Sequence, residues 1–154
     1  MKFTGARRLT LGALIFLVSC SSHKPMDNSP ETPSPGSSVS LTGTEWILTE
    51  LAGIAVVPNS KASLTFLEAG RAAGNASCNR FTGAVTMTGN AIKFGQMAST
   101  RMACADAAVS AQENQYLKLL AAANRYEVKD NSLLIYVDAS DTPLRFARQI
   151  ARQP

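Results

Sequence analysis

Three cysteines, one histidine and a handful of acids are what this 154-residue chain offers for chemistry. Cys20 closes the run Leu17-Val18-Ser19-Cys20, where a small residue precedes a thiol that could take a lipid through a thioether. Cys78 and Cys104 remain as an even pair. In an exported chain such a pair reads as a disulfide. The alternatives are two reduced structural thiols, a catalytic thiol, or a soft-metal site completed by Met97 or Met102. A thiol enzyme would want a histidine base, and the single histidine, His23, stands beside Cys20 in a proline- and serine-rich stretch. A metal site would want more ligands at tight spacing. As a bridge the pair would close a loop of about 26 residues and contribute roughly 3.5 kcal/mol. Glu45, Glu50, Asp106 and Glu113 are scattered, unlike the convergent titratable groups of a catalytic centre. No catalytic residue, metal ligand set or cofactor is expected.

The segments around these residues set their context. Lys2, Arg7 and Arg8 precede an apolar run, Leu9 to Val18. About ten residues rise roughly 15 Å as a helix, half the hydrocarbon thickness, so the run is too short to span a bilayer. It has the build of a secretory signal over residues 1–19. Leu-Val-Ser-Cys resembles the bacterial lipobox, which implies cleavage before Cys20 and acylation of that residue. Two or more acyl chains anchor stably, where one is marginal. Ser21 resembles the sorting signal for the outer rather than the inner membrane. The expected location is therefore the cell envelope, lipid-anchored and periplasm-facing.

Residues 20–40 read as a tether. Pro25, Pro30, Pro33, Pro35 and many serines supply too little apolar area to offset ordering. Fully extended, twenty residues reach about 65 Å. Without Lys2, Arg7 and Arg8, the 15 Lys+Arg fall to 12 against 11 Asp+Glu. That near balance argues against nucleic acid, which needs clustered cations, and against a strong polybasic membrane patch.

Residues 41–148 read as one domain of short strands, followed by a tail at 149–154. Residues 45–51 alternate, placing Trp46, Leu48 and Glu50 on one face, with Ile47 and Leu51 on the other. Residues 62–66 and 71–75 flank a Glu68-Ala69-Gly70 turn, and 81–87 and 91–94 flank Thr88-Gly89-Asn90. Residues 125–129 and 132–137 flank Asp130-Asn131, and a last strand over 144–147 follows a 138–143 loop. Ser110-Ala-Gln-Glu113 reads as a capping box opening a helix over 109–123, whose apolar side packs on the sheet. The expected class is α+β: a mainly antiparallel sheet or partly open barrel packed on one helix.

Gly74-Asn-Ala-Ser-Cys78-Asn79-Arg-Phe81-Thr-Gly83 resembles the G-x-x-x-C-N-x-[YF]-x-G signature of the META/HslJ family. Trp46 near the start, Ser99-Thr-Arg-Met-Ala-Cys104, and Glu113 in the helix follow the same order. The resemblance covers about residues 41–147. It implies a small α+β domain carried by bacterial lipoproteins and envelope proteins, linked to heat stress and novobiocin tolerance, with no enzymatic activity attached. The motif residues have structural uses. Gly74 and Gly83 admit tight or bulged backbone. Asn79 can bond backbone at a turn, Trp46 can anchor the core through a bonded indole N–H, and Glu113 can serve the cap.

The expected function is a non-catalytic, monomeric envelope lipoprotein that binds or assembles envelope components, with an envelope protein as partner. A carrier of a small apolar ligand in a barrel cavity is the alternative. Cys20→Ala should abolish acylation and leave the leader uncleaved. Intact mass spectrometry reads both, and a soluble, unacylated mature form of the unmutated chain would remove the anchor.

Overall fold

Period-two alternation of apolar and polar residues governs most of the computed structural model, which describes residues 40–138 and 140–150. The leader, Cys20, the tether as far as Val39, and the tail past Ile150 lie outside the described residues. The elements are β1 (Thr44–Leu51), β2 (Ile54–Ala55), β3 (Ser63–Glu68), β4 (Arg71–Asn75) and β5 (Arg80–Thr88). They continue as β6 (Ala91–Ser99), α1 (Ala107–Ala121), β7 (Ala123–Lys129), β8 (Ser132–Val137) and β9 (Ser140–Arg148). No described helix is long and apolar enough to cross a membrane.

The strands are antiparallel and ordered β2-β1-β3-β4-β5-β6-β7-β8-β9, with β1 also paired to β9. That last pairing closes the sheet. An eight-stranded barrel results, with β2 as a short flap on β1, so the partly open form expected from the sequence is corrected. Closure is non-local: Trp46 faces Arg148 and Leu48 faces Phe146 across most of the domain's length. A bulge between Leu48 and Glu50 turns the strand as it joins β9. The bulge also explains why Leu51 is buried with Trp46 and Leu48 rather than lying on the opposite face. The last strand starts at Ser140, earlier than the sequence suggests. Pro143 falls in a register irregularity between β8 and β9, where a missing N–H is tolerated.

The barrel has two unlike poles. One carries the tight turns at Gly70, Gly89-Asn90 and Asp130-Asn131, together with both ends of the described chain. The chain enters with the Gly43 N–H donated to Phe66 O at 2.7 Å, and Gln149 leaves with its N–H donated to Glu45 O at 2.8 Å. Gly89 at φ +59° and Asp130 at φ 52° supply the left-handed backbone that two-residue hairpins need. The other pole carries the longer connections and α1. The β6–β7 seam is narrow: Ala91 pairs with Arg125, and Tyr126 N–H donates to Asn90 O at 2.8 Å. Farther along, the two strands part, and α1 packs against β6.

Inward side chains form one apolar core. Trp46, Leu64, Phe66, Ile92, Leu133, Ile135, Leu144 and Phe146 are each at most 1% exposed. The Trp46 indole N–H donates to Thr44 Oγ1 at 2.7 Å, so the largest buried ring keeps its polar end satisfied. Gly74 lies in β4 between Leu64 of β3 and Phe81 of β5. A Cβ there would fall 2.0 Å from Ser63 O and 2.9 Å from the Phe81 ring. Gly83 lies at a bulge against β6, where a Cβ would meet Met97 Cγ at 2.9 Å.

Gly74→Ala should lower stability by about 3 kcal/mol or more, because backbone rather than a rotatable side chain must give way. Gly89→Ala meets nothing within 4 Å and should cost about 1 kcal/mol through its positive φ. Urea unfolding of both variants checks this, and equal losses would contradict the close approach at Gly74.

Candidate functional site

The helix begins earlier than its sequence suggests. Asp106 is the N-cap, its carboxylate accepting from Ala108 N at 2.7 Å. Ser110 therefore lies inside α1, and Glu113 is too far along to close a capping box. The local Ser-x-x-Glu pattern misleads because Asp106 already satisfies the helix end. Glu113 instead belongs to the buried face of α1, together with Gln112, Tyr116 and Leu120.

That face docks on the loops of its pole. Gln112 Nε2 donates to Ser60 Oγ and Ser77 Oγ, both at 2.7 Å, and its Oε1 accepts from Val57 N at 2.6 Å. One helical side chain thus holds the β2–β3 and β4–β5 loops together. The Glu113 carboxylate goes to the β4–β5 loop. Oε2 accepts from Asn79 N at 2.7 Å and Cys78 N at 3.2 Å, and Oε1 accepts from Asn79 Nδ2 at 2.8 Å. Asn79 in turn fixes the segment leading into the helix. Its Oδ1 accepts from Met102 N at 2.8 Å and Thr100 Oγ1 at 2.7 Å, while Nδ2 also donates to Met102 O at 3.2 Å. The disulfide joins Cys78 to Cys104 across the same two segments, with Cα atoms 5.9 Å apart.

The clasp bends the backbone to fit. Ser77 has φ 118°, a region that favours glycine. Asn75 Oδ1 accepts its N–H at 2.9 Å and Gln112 holds its hydroxyl, so the surrounding bonds over-determine the strained residue. Below the clasp, Tyr116 reaches into the barrel. Its ring meets Phe81 edge-on at 5.9 Å and Phe146 at 6.1 Å, and its hydroxyl donates to Ser63 O at 3.2 Å. Burial pushes that phenol well above its ordinary pKa, keeping it a neutral donor.

Of the sequence-singled residues, Cys78, Asn79, Cys104 and Glu113 meet in this clasp. Phe81 lies beneath it against Tyr116, while Gly74 and Gly83 belong to the barrel wall and Trp46 lies toward the opposite pole. Gln112 was not singled out from the sequence. Its signal is position: it and Glu113 fall on the helical face that carries Tyr116 and Leu120, where polar side chains need partners. Cys78, Cys104 and Glu113 also bring two sulfurs and a carboxylate oxygen within 4.8 Å of one another.

A META domain family model matches residues 39–150, and the chain belongs to that family. A protein from Burkholderia xenovorans, solved by NMR, has the same fold: TM-score 0.61 at 25% identity, covering 82% of this chain and 97% of that one. A second NMR structure superposes with TM-score 0.57 at 22% identity, covering 70% of this chain and 90% of that one. No curated protein matches the chain.

Glu113→Ala would strand three donors and should destabilise by on the order of 4 kcal/mol. Glu113→Gln keeps one acceptor oxygen but turns an amine toward N–H groups, and should cost about half as much. Chemical denaturation measures both. A glutamine variant as stable as the parent would mean that the carboxylate does not hold the clasp.

Proposed function

We propose that this chain is a non-catalytic, lipid-anchored module of the cell envelope that binds or helps assemble envelope components and so supports tolerance of stress. It faces the periplasm, anchored through Cys20, with the outer membrane as its place. The observation that carries the non-catalytic reading is the fate of the motif side chains. Glu113 accepts three bonds, Asn79 bonds two segments through both ends of its amide, and the paired sulfurs staple those segments. These groups hold the fold together, and binding falls to the surface they stabilise. Membership in the META family supports the same reading.

A carrier of a small apolar molecule is the second reading, favoured by the closed barrel, since eight strands are enough to enclose one small ligand. Against it stand the packed side chains of Trp46, Phe66, Tyr116 and Phe146, each at most 1% exposed. Native mass spectrometry of protein purified from envelopes separates the two, because a bound lipid would favour the carrier.

The assembly reading is tested by photocrosslinking in intact cells. Probes replace Met102, an apolar side chain 60% exposed at the helix-bearing pole, and Lys61, which lines an outer groove beside Arg80. At least one position should capture a defined envelope protein, lost when Cys20→Ala removes the anchor. Recovery of no envelope protein from either position would overturn the reading.

A further inference from the structure

We propose that Cys78, Cys104 and Glu113 form a site for a borderline-soft divalent cation of the zinc class, opened when the Cys78–Cys104 bond is reduced. The two sulfurs and a carboxylate oxygen lie within 4.8 Å of one another. Two thiolates on a tetrahedral zinc stand about 3.8 Å apart, given Zn–S bonds of about 2.3 Å, and a carboxylate oxygen binds at about 2.1 Å. With Cα atoms 5.9 Å apart, the cysteines reach that spacing by side-chain rotation.

Glu113 is prepared for such a role. It is 9% exposed, and its partners, the N–H groups of Cys78 and Asn79 and the Asn79 amide, are all neutral. It makes no ion pair among the described residues. Three accepted bonds leave one of a carboxylate's roughly four lone-pair directions for a cation. The same bonds are the outer-shell support that orients a metal-ligating carboxylate. Asn79 Nδ2 also lies 3.9 Å from the Cys104 sulfur, so the hydrogen it gives to Met102 O at 3.2 Å can be shared with a thiolate. Two thiolates beside an uncompensated buried carboxylate would repel one another, and a dication removes that cost.

The chemistry balances. A dithiol reductant is oxidised to its own disulfide, the Cys78–Cys104 bond breaks, and each sulfur takes a proton. The cation then displaces both thiol protons to solvent. Three protein ligands leave a fourth position for water or an external thiolate. Both cysteines are half-buried, so a reductant can approach.

The test uses the full chain in detergent carrying Cys20→Ser, so that only these two thiols remain. Protein reduced with dithiothreitol, then freed of it without air, is titrated with cadmium and competed with zinc. The reduced form should bind a single equivalent, with a thiolate-to-cadmium absorption band and a cadmium NMR shift typical of two sulfurs. The oxidised form should not bind. Glu113→Gln should weaken binding at least about tenfold, since even outer-shell losses cost that much. If that variant fails to fold, protection of both thiols from alkylation by cadmium in the unmutated chain provides the readout. Reduced protein that ignores cadmium, or equal binding by the oxidised form or by Cys104→Ser, overturns the site. The outcome is independent of where the chain resides, so failure would leave the envelope reading standing.

Discussion

The Glu113 carboxylate, accepting from the N–H groups of Cys78 and Asn79, is the contact on which the helix-bearing pole depends. A buried anion is costly unless donors surround it, and here two of the three bonds come from backbone N–H groups that only a proline would remove. The demand runs in both directions. The β4–β5 loop has no strand partner for those N–H groups, so it needs an acceptor from outside the sheet. The helix carries this carboxylate on its buried face beside Gln112, Tyr116 and Leu120, and it needs donors. Each supplies what the other lacks, and Asn79 passes the constraint on to Thr100 and Met102.

This contact solves a problem that the barrel creates. Strands β6 and β7 are joined in sequence through a helix and meet in a narrow seam, so the sheet alone leaves that pole open. Tyr116 and Leu120 fill the opening with apolar volume, while Gln112 and Glu113 bind the rim loops. The Cys78–Cys104 bridge then joins the β4–β5 loop covalently to the segment leading into α1. Polar bonds and a covalent link reinforce one another over a short stretch of surface. That redundancy fits a part of the fold with no ladder of its own.

Much of the architecture could be read from the sequence because it is local. Hairpins at Gly89-Asn90 and Asp130-Asn131 follow from residues that tolerate positive φ. The alternation of β3 and β5 follows from burial of one face. What could not be read is long-range. Closure of β1 on β9 depends on residues about a hundred positions apart, and the Leu48–Glu50 bulge that permits it has no sequence mark. Glu113 defies a local reading for the opposite reason: Ser110 three residues before it satisfies a local rule, while its partners lie 34 and 35 positions away. The motif did name Cys78, Asn79, Cys104 and Glu113. It could not say that they touch.

Leu41 enters at the pole opposite the helix, just ahead of β1, which pairs with β3 over Thr44–Ile47 and with β9 over Trp46–Glu50. A pull on the chain at that point acts along the strand axis. The hydrogen bonds to both neighbours then bear the load together in shear, instead of opening one after another as a peeled edge would. The first strand is thus held where a leash would attach, and the bonds that close the barrel also resist its being drawn apart by its own N-terminal end.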